Sequence, residues 1–177
     1  MNRILKISAV LTWINLIFWG LFVAIGLLAA FAVRSFAVMI IMFLLSSVIL
    51  HSYAALQLQK SIRNPAIPLS SQTPTGIRFV GFFALFFAIN ILSAGVTMLA
   101  NTAEFVKTII QNTNEMAKAM QAPGDTVKDM TTAGVRFWAI LFLLIGLSTA
   151  GNIILNLRLL RRYTLNQEQK RKDAPPL

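Results

Sequence analysis

The chain has no cysteine, one histidine and only six acidic residues among 177, and each shortage removes a class of chemistry. Without cysteine there is no disulfide, no thiolate metal site and no thiol nucleophile. His51 stands alone, and a metal site needs several ligands that no second His or Cys supplies. Acids are missing where an ion-driven machine needs them most. None falls inside the four long apolar runs, whereas proton-coupled carriers and pumps embed such a group and pair it there. A glycine-rich phosphate loop, a GxSxG elbow and an HExxH pair are also absent, so no catalytic residue, metal ligand or cofactor is expected.

What is present is apolar. With 56% hydrophobic residues, 12% charged residues and a mean hydropathy of +0.70, the composition is that of a membrane chain rather than a soluble domain. Four runs, at about residues 7–33, 36–56, 79–100 and 135–157, each reach the roughly 20 residues that cross a bilayer as a helix. Arg3 and Lys6 precede the first run as they would a secretory signal. That run is longer than a signal core, and a second follows almost directly, so it reads as a retained helix. The expected fold is all-α and integral to the membrane. It is a four-transmembrane-helix bundle forming one membrane domain over 1–165, followed by a flexible basic tail over 166–177.

Charge decides which way such a bundle faces. The N-terminus, the 57–78 loop and the segment from 158 onward hold eleven cations against Glu168 and Asp173. The opposite side holds Arg34, Lys107, Lys118, Lys128 and Arg136 against Glu104, Glu115, Asp125 and Asp129. Because Lys and Arg are retained on the cytoplasmic side, both termini are expected to be cytoplasmic in a multi-pass inner-membrane protein. The net charge of +10 does not call for nucleic acid, since the cations border apolar spans instead of forming a patch with interleaved aromatics. The bilayer is the expected partner. Arg158, Arg161 and Arg162 are candidates for contact with lipid headgroups, where a juxtamembrane cation contributes about 1 kcal/mol.

The runs also resemble one another. "INLIFWG" at 14–20 and "INILSAG" at 89–95 share Ile, Asn and Gly at matching positions, and the same offset places Arg3 on Arg78. Setting Arg34 on Arg136 aligns the second and fourth runs without a gap, bringing Ala37 onto Ala139 and Lys60 onto Arg162. Repeats of this kind point to tandem duplication of a two-helix hairpin, with an insertion in the second copy. The inserted segment, 101–130, opens with Asn101 and Glu104 in a capping-box arrangement. Apolar residues then recur at helical spacing, as in an amphipathic helix on the outer surface between the third and fourth spans. The alternative is one continuous helix from 79 to about 121. On the other side, prolines 65, 68 and 74 predict a semi-rigid connector over 57–78.

Inside the spans the notable residues are those that pack helices. Ser8, Thr12, Asn15 and Trp19 follow one stripe, while Gly146 with Ala150 and Asn152 with Asn156 recur one turn apart. Small residues let backbones approach, and buried amides bond across helices. Asn15, Gly20, Ser47, His51, Asn90, Gly95, Gly146 and Asn152 are therefore expected as packing or polar-stripe positions, with Asn15 facing Asn90. The expected function is a small non-catalytic protein acting by association with a membrane-protein partner or as a homo-oligomer. Accessory subunit, scaffold and envelope adaptor are the forms it could take. The alternative is a small oligomeric channel or facilitator lined by the Asn, Ser and Thr stripe.

Overall fold

The computed structural model describes the backbone of residues 2–119 and 124–173, and within them the side chains of 3–111, 129, 131–169, 172 and 173. Five helices follow in order: α1 (Asn2–Ala32), α2 (Phe36–Arg63), α3 (Thr73–Ala100), α4 (Thr102–Ala119) and α5 (Gly124–Lys172). Among the described residues no strand occurs. α1, α2, α3 and the Thr131–Gln169 part of α5 are each long and apolar enough to cross a membrane. Large side chains such as Phe36, Phe43 and Phe82, each at least 70% exposed, would be costly in water and suit a hydrocarbon surround.

The joints between helices follow from local chemistry. Arg34 occupies the left-handed region at φ 52°, where the Arg34 N–H bonds the Phe31 carbonyl and the Ser35 N–H bonds the Ala30 carbonyl. That is a Schellman ending with arginine at the position glycine usually takes. Ser35 then caps α2, its hydroxyl accepting from the Val38 N–H at 3.4 Å. α2 runs seven residues past the expected end of its apolar run, to Arg63, and α3 starts at Thr73. The connector expected over 57–78 is thus confined to 64–72. Pro65 disfavours a helical Asn64, which is extended, whereas Pro74 sits in the first turn of α3, where a missing N–H costs nothing.

At the far end of α3 a single residue, Asn101, separates it from α4. The Asn101 N–H still bonds the Thr97 carbonyl, its own carbonyl accepts from Phe105, and the Thr102 hydroxyl turns back to the Met98 carbonyl at 2.9 Å. The segment expected as one outer element over 101–130 is divided between α4 and the start of α5. Of the run "APGD" at 122–125, whose proline and glycine read in the sequence as an end to that element, residues 122 and 123 lie outside the described residues and Gly124 opens α5. α5 is then one uninterrupted helix of 49 residues. At 1.5 Å per residue it is about 73 Å long, more than twice a hydrocarbon core of about 30 Å. The tail expected to be flexible from 166 is helical as far as Lys172.

The chain divides into two compact units. The first comprises Met1–Phe87 with Ser148–Leu177, and the second comprises Ala88–Leu147. In the first, Leu5, Leu58, Ile77, Leu159 and Leu160 from four helices form an apolar cluster, with Ile4, Ile62 and Tyr163 packed on it. In the second, the buried positions among the described residues are small or β-branched: Ala88, Gly95, Val106, Val135, Ala139 and Gly146.

A sealed polar network as the candidate functional site

Ser8, Thr12, Asn15 and Trp19 recur at spacings of four, three and four, which keeps them on one face of α1. The facing stripe of α5 carries Ser148, Thr149, Asn152 and Asn156, and α2 contributes Gln59. All belong to the first unit. Partner numbers fall along α5 as they rise along α1, so the two helices meet antiparallel and the stripes match rung by rung.

The first rungs centre on Asn156. Its Oδ1 accepts from the Ser8 hydroxyl at 2.8 Å and from Gln59 Nε2 at 3.1 Å. Its Nδ2 donates to the Asn152 carbonyl and Asn152 Oδ1, both at 2.8 Å. Gln59 Nε2 also reaches Ser8 Oγ at 3.1 Å and Thr12 Oγ1 at 3.0 Å, drawing three helices together through one amide. The Thr12 hydroxyl lies 2.7 Å from both the Ser8 carbonyl and Asn152 Oδ1. One proton serves two acceptors there, so an intrahelical and an interhelical partner share it. Further along α1, Thr149 donates to Asn15 Oδ1 at 2.6 Å and accepts from Trp19 Nε1 at 3.1 Å. Asn15 Nδ2 donates to the Leu11 carbonyl at 2.8 Å and to Ser148 Oγ at 3.2 Å.

Apolar residues close both ends of this network. Leu5, Leu58, Leu159 and Leu160 lie within a turn of Ser8, Gln59 and Asn156 on their own helices, and with Ile77 they are the buried members of the apolar cluster. At the other end Trp19 and Val23 are buried, with the Phe18 and Phe22 rings edge-on to the indole. Every member of the network is neutral. Its physical work is to hold helices together where lipid removes the hydrophobic drive for them to associate, at about 0.6 kcal/mol per interhelical bond on average.

The residues anticipated from the sequence are distributed unevenly over this arrangement. Asn15 and Asn152 are central to it, with Asn15 engaged by α5, while Asn90 belongs to the second unit and is exposed there. A methyl added at Gly20 would have nothing within 4 Å, so Gly20 is no packing residue. Gly95 and Gly146 are: a Cβ on Gly95 would meet the Ala139 carbonyl at 3.0 Å, and one on Gly146 would meet Leu92 Cγ at 2.7 Å. His51 is fully buried beside Gly81, whose added Cβ would lie 3.0 Å from Nδ1. Neither ring nitrogen has a hydrogen-bond partner, the Ile77 backbone facing the ring without reaching bonding geometry, and Ser47 Oγ and Ser52 Oγ are likewise unpartnered. Arg158, Arg161 and Arg162 are exposed on α5, and Arg162 lines a cavity of about 360 Å³ with Ser61, Tyr163 and Asn166. Among the described residues no three His, Cys, Asp or Glu side chains gather as a metal site.

Gln59, Ser148 and Thr149 join the network without being expected from the sequence. Gln59 falls beyond the apolar run of α2, yet Val48, Ser52, Ala55 and Gln59 continue one buried stripe of that helix at helical spacing. That periodicity is the signal that points to it. Polar residues at one-turn spacing on α5 point to Thr149 in the same way.

Fold and site together define a multi-pass helical membrane protein whose spans carry an internal polar lock. Comparison of the chain with family models, with curated proteins and with solved structures finds no match.

Proposed function

We propose that this chain is a non-catalytic inner-membrane protein that acts by association, as an accessory subunit, scaffold or envelope adaptor. The observation that carries this reading is the sealed network. Its Asn, Gln, Ser and Thr groups are bonded to one another and capped by apolar residues, where a conduit would turn them toward a continuous polar path. What is left for partners is α4 and the ends of an α5 that is too long for the bilayer. The charge asymmetry supports an orientation with both termini and the 64–72 connector in the cytoplasm. The duplicated hairpin belongs to the same proposal, with Gly20 and Gly95 as matched positions whose surroundings have since diverged.

The test is photocrosslinking in cells from Glu104 on α4 and, separately, from Asn166 on α5, followed by mass spectrometry. One foreign membrane protein recovered reproducibly, and co-purifying with the unmodified chain, is the expected result. Capture of the chain alone, together with solute flux in liposomes that Asn156→Leu abolishes, would replace association by conduction. Orientation is read separately with single cysteines, which this cysteine-free chain reports without background. Ser70→Cys should label only from the cytoplasm and Thr108→Cys only from outside.

A further inference from the structure

We propose that the second unit binds an anionic phospholipid in the cavity where α3 ends and α4 begins, with the phosphate held between Lys107 and Arg136. The cavity measures about 790 Å³, within the range of roughly 300 to 1,000 Å³ typical of small-molecule sites. Its lining divides by chemistry. Leu99 from α3 and Ala103, Val106 and Ile110 from α4 provide an apolar floor, while Lys107 from α4 and Arg136 from α5 supply two cations.

Both cations are exposed, so their heads are free to reach a ligand, and among the described residues no acid lines the cavity. Glu104 and Asp129, the nearest described acids along α4 and α5, are exposed and stand outside the lining. The depth is also right for a lipid. The apolar stretch of α3 finishes at Ala100, and Arg136 stands at the head of the apolar stretch of α5, so the cavity sits where hydrocarbon gives way to headgroups. An apolar floor under paired cations matches an acyl chain below a phosphodiester. A small free anion would leave the floor bare, and a neutral lipid would leave the cations unanswered. The site lies at the less basic end of the spans, so it is distinct from any diffuse attraction at Arg158, Arg161 and Arg162.

The experiment uses the full-length chain in mild detergent with a diazirine-bearing phosphatidylglycerol, and peptides carrying adducts are mapped by mass spectrometry. Adducts should concentrate in residues 99–110, and unlabelled phosphatidylglycerol should compete at least tenfold better than phosphatidylcholine of the same chains. Lys107→Gln with Arg136→Gln should cut the labelling about tenfold or more, two cations each worth most of a decade near an anionic surface. Ala103→Leu, which fills the floor and leaves both cations, should also lower it, whereas Arg161→Gln with Arg162→Gln should leave it unchanged. Labelling no denser at 99–110 than on the exposed face of α2, or equal competition by the two lipids, would overturn the proposal. So would a charge-removed chain that elutes as the parent does and labels as the parent does.

Discussion

Each unit packs internally by its own means, and the two means are opposite. All ten buried polar side chains among the described residues belong to the first, and none belongs to the second. In the first, amides and hydroxyls tie α1, α2 and α5 through specific bonds; in the second, Gly95 and Gly146 let α3 and α5 approach until side chain meets backbone. A bilayer permits both solutions because it offers polar groups no water and offers helices no hydrophobic reason to pair. The difference lies in what fails. A polar lock fails by leaving a group without a partner, and a close approach fails by acquiring a methyl.

The largest effect should come from the hub of the lock. Asn156→Leu removes the bonds to Ser8, Gln59 and Asn152 together, and at about 1 kcal/mol for each bond lost the cost should be about 3 kcal/mol. Reversible unfolding in mixed detergent micelles measures it, and a loss below about 1 kcal/mol would mean that the network relaxes around the gap. In the second unit, Gly146→Val drives a branched side chain against Leu92 and the Ala88 carbonyl and should cost about 2 kcal/mol in the same assay.

A smaller pair of substitutions sharpens the contrast between two glycines that the sequence presents as equals. Gly95→Ala puts a methyl against the Ala139 carbonyl, which cannot rotate aside, and should cost about 1 kcal/mol. Gly20→Ala meets open space and should stay within about 0.5 kcal/mol of the parent. Equal costs at the two sites would erase the distinction drawn between the units. The finest probe is a double-mutant cycle. Thr12→Val with Asn152→Leu should show a coupling of about 0.6 to 1.7 kcal/mol.

Much of the lock is legible in the amino-acid sequence. The 8, 12, 15, 19 stripe of α1 and the Asn152–Asn156 pair carry helical spacing, and a polar stripe in an apolar span has to face a neighbour. Two things are not legible. Hydropathy marks where α2 leaves the hydrocarbon but not where its helix ends, so Gln59 lies beyond the apolar boundary at 56 although the helix continues to Arg63. A shared Asn and Gly likewise specify similar stretches without specifying similar surroundings. Asn15 is buried against α5, Asn90 is exposed, and the Arg34 that aligns with a helical Arg136 is itself the left-handed residue of a turn.

That this chain has four helices fit to cross a membrane follows from its apolar runs alone. Apolar length compels that outcome, because a backbone in hydrocarbon satisfies its own hydrogen bonds or loses several kcal/mol for each one left open. Which stripe meets which is a matter of tertiary packing: Asn15 with Thr149, Gln59 joined to Asn156, and Gly146 against Leu92 while Gly20 faces open space. Pairing depends on the rotation of each helix about its axis. Spans that are apolar nearly all round leave that rotation open until a handful of amides, hydroxyls and glycines find the neighbours that fit them.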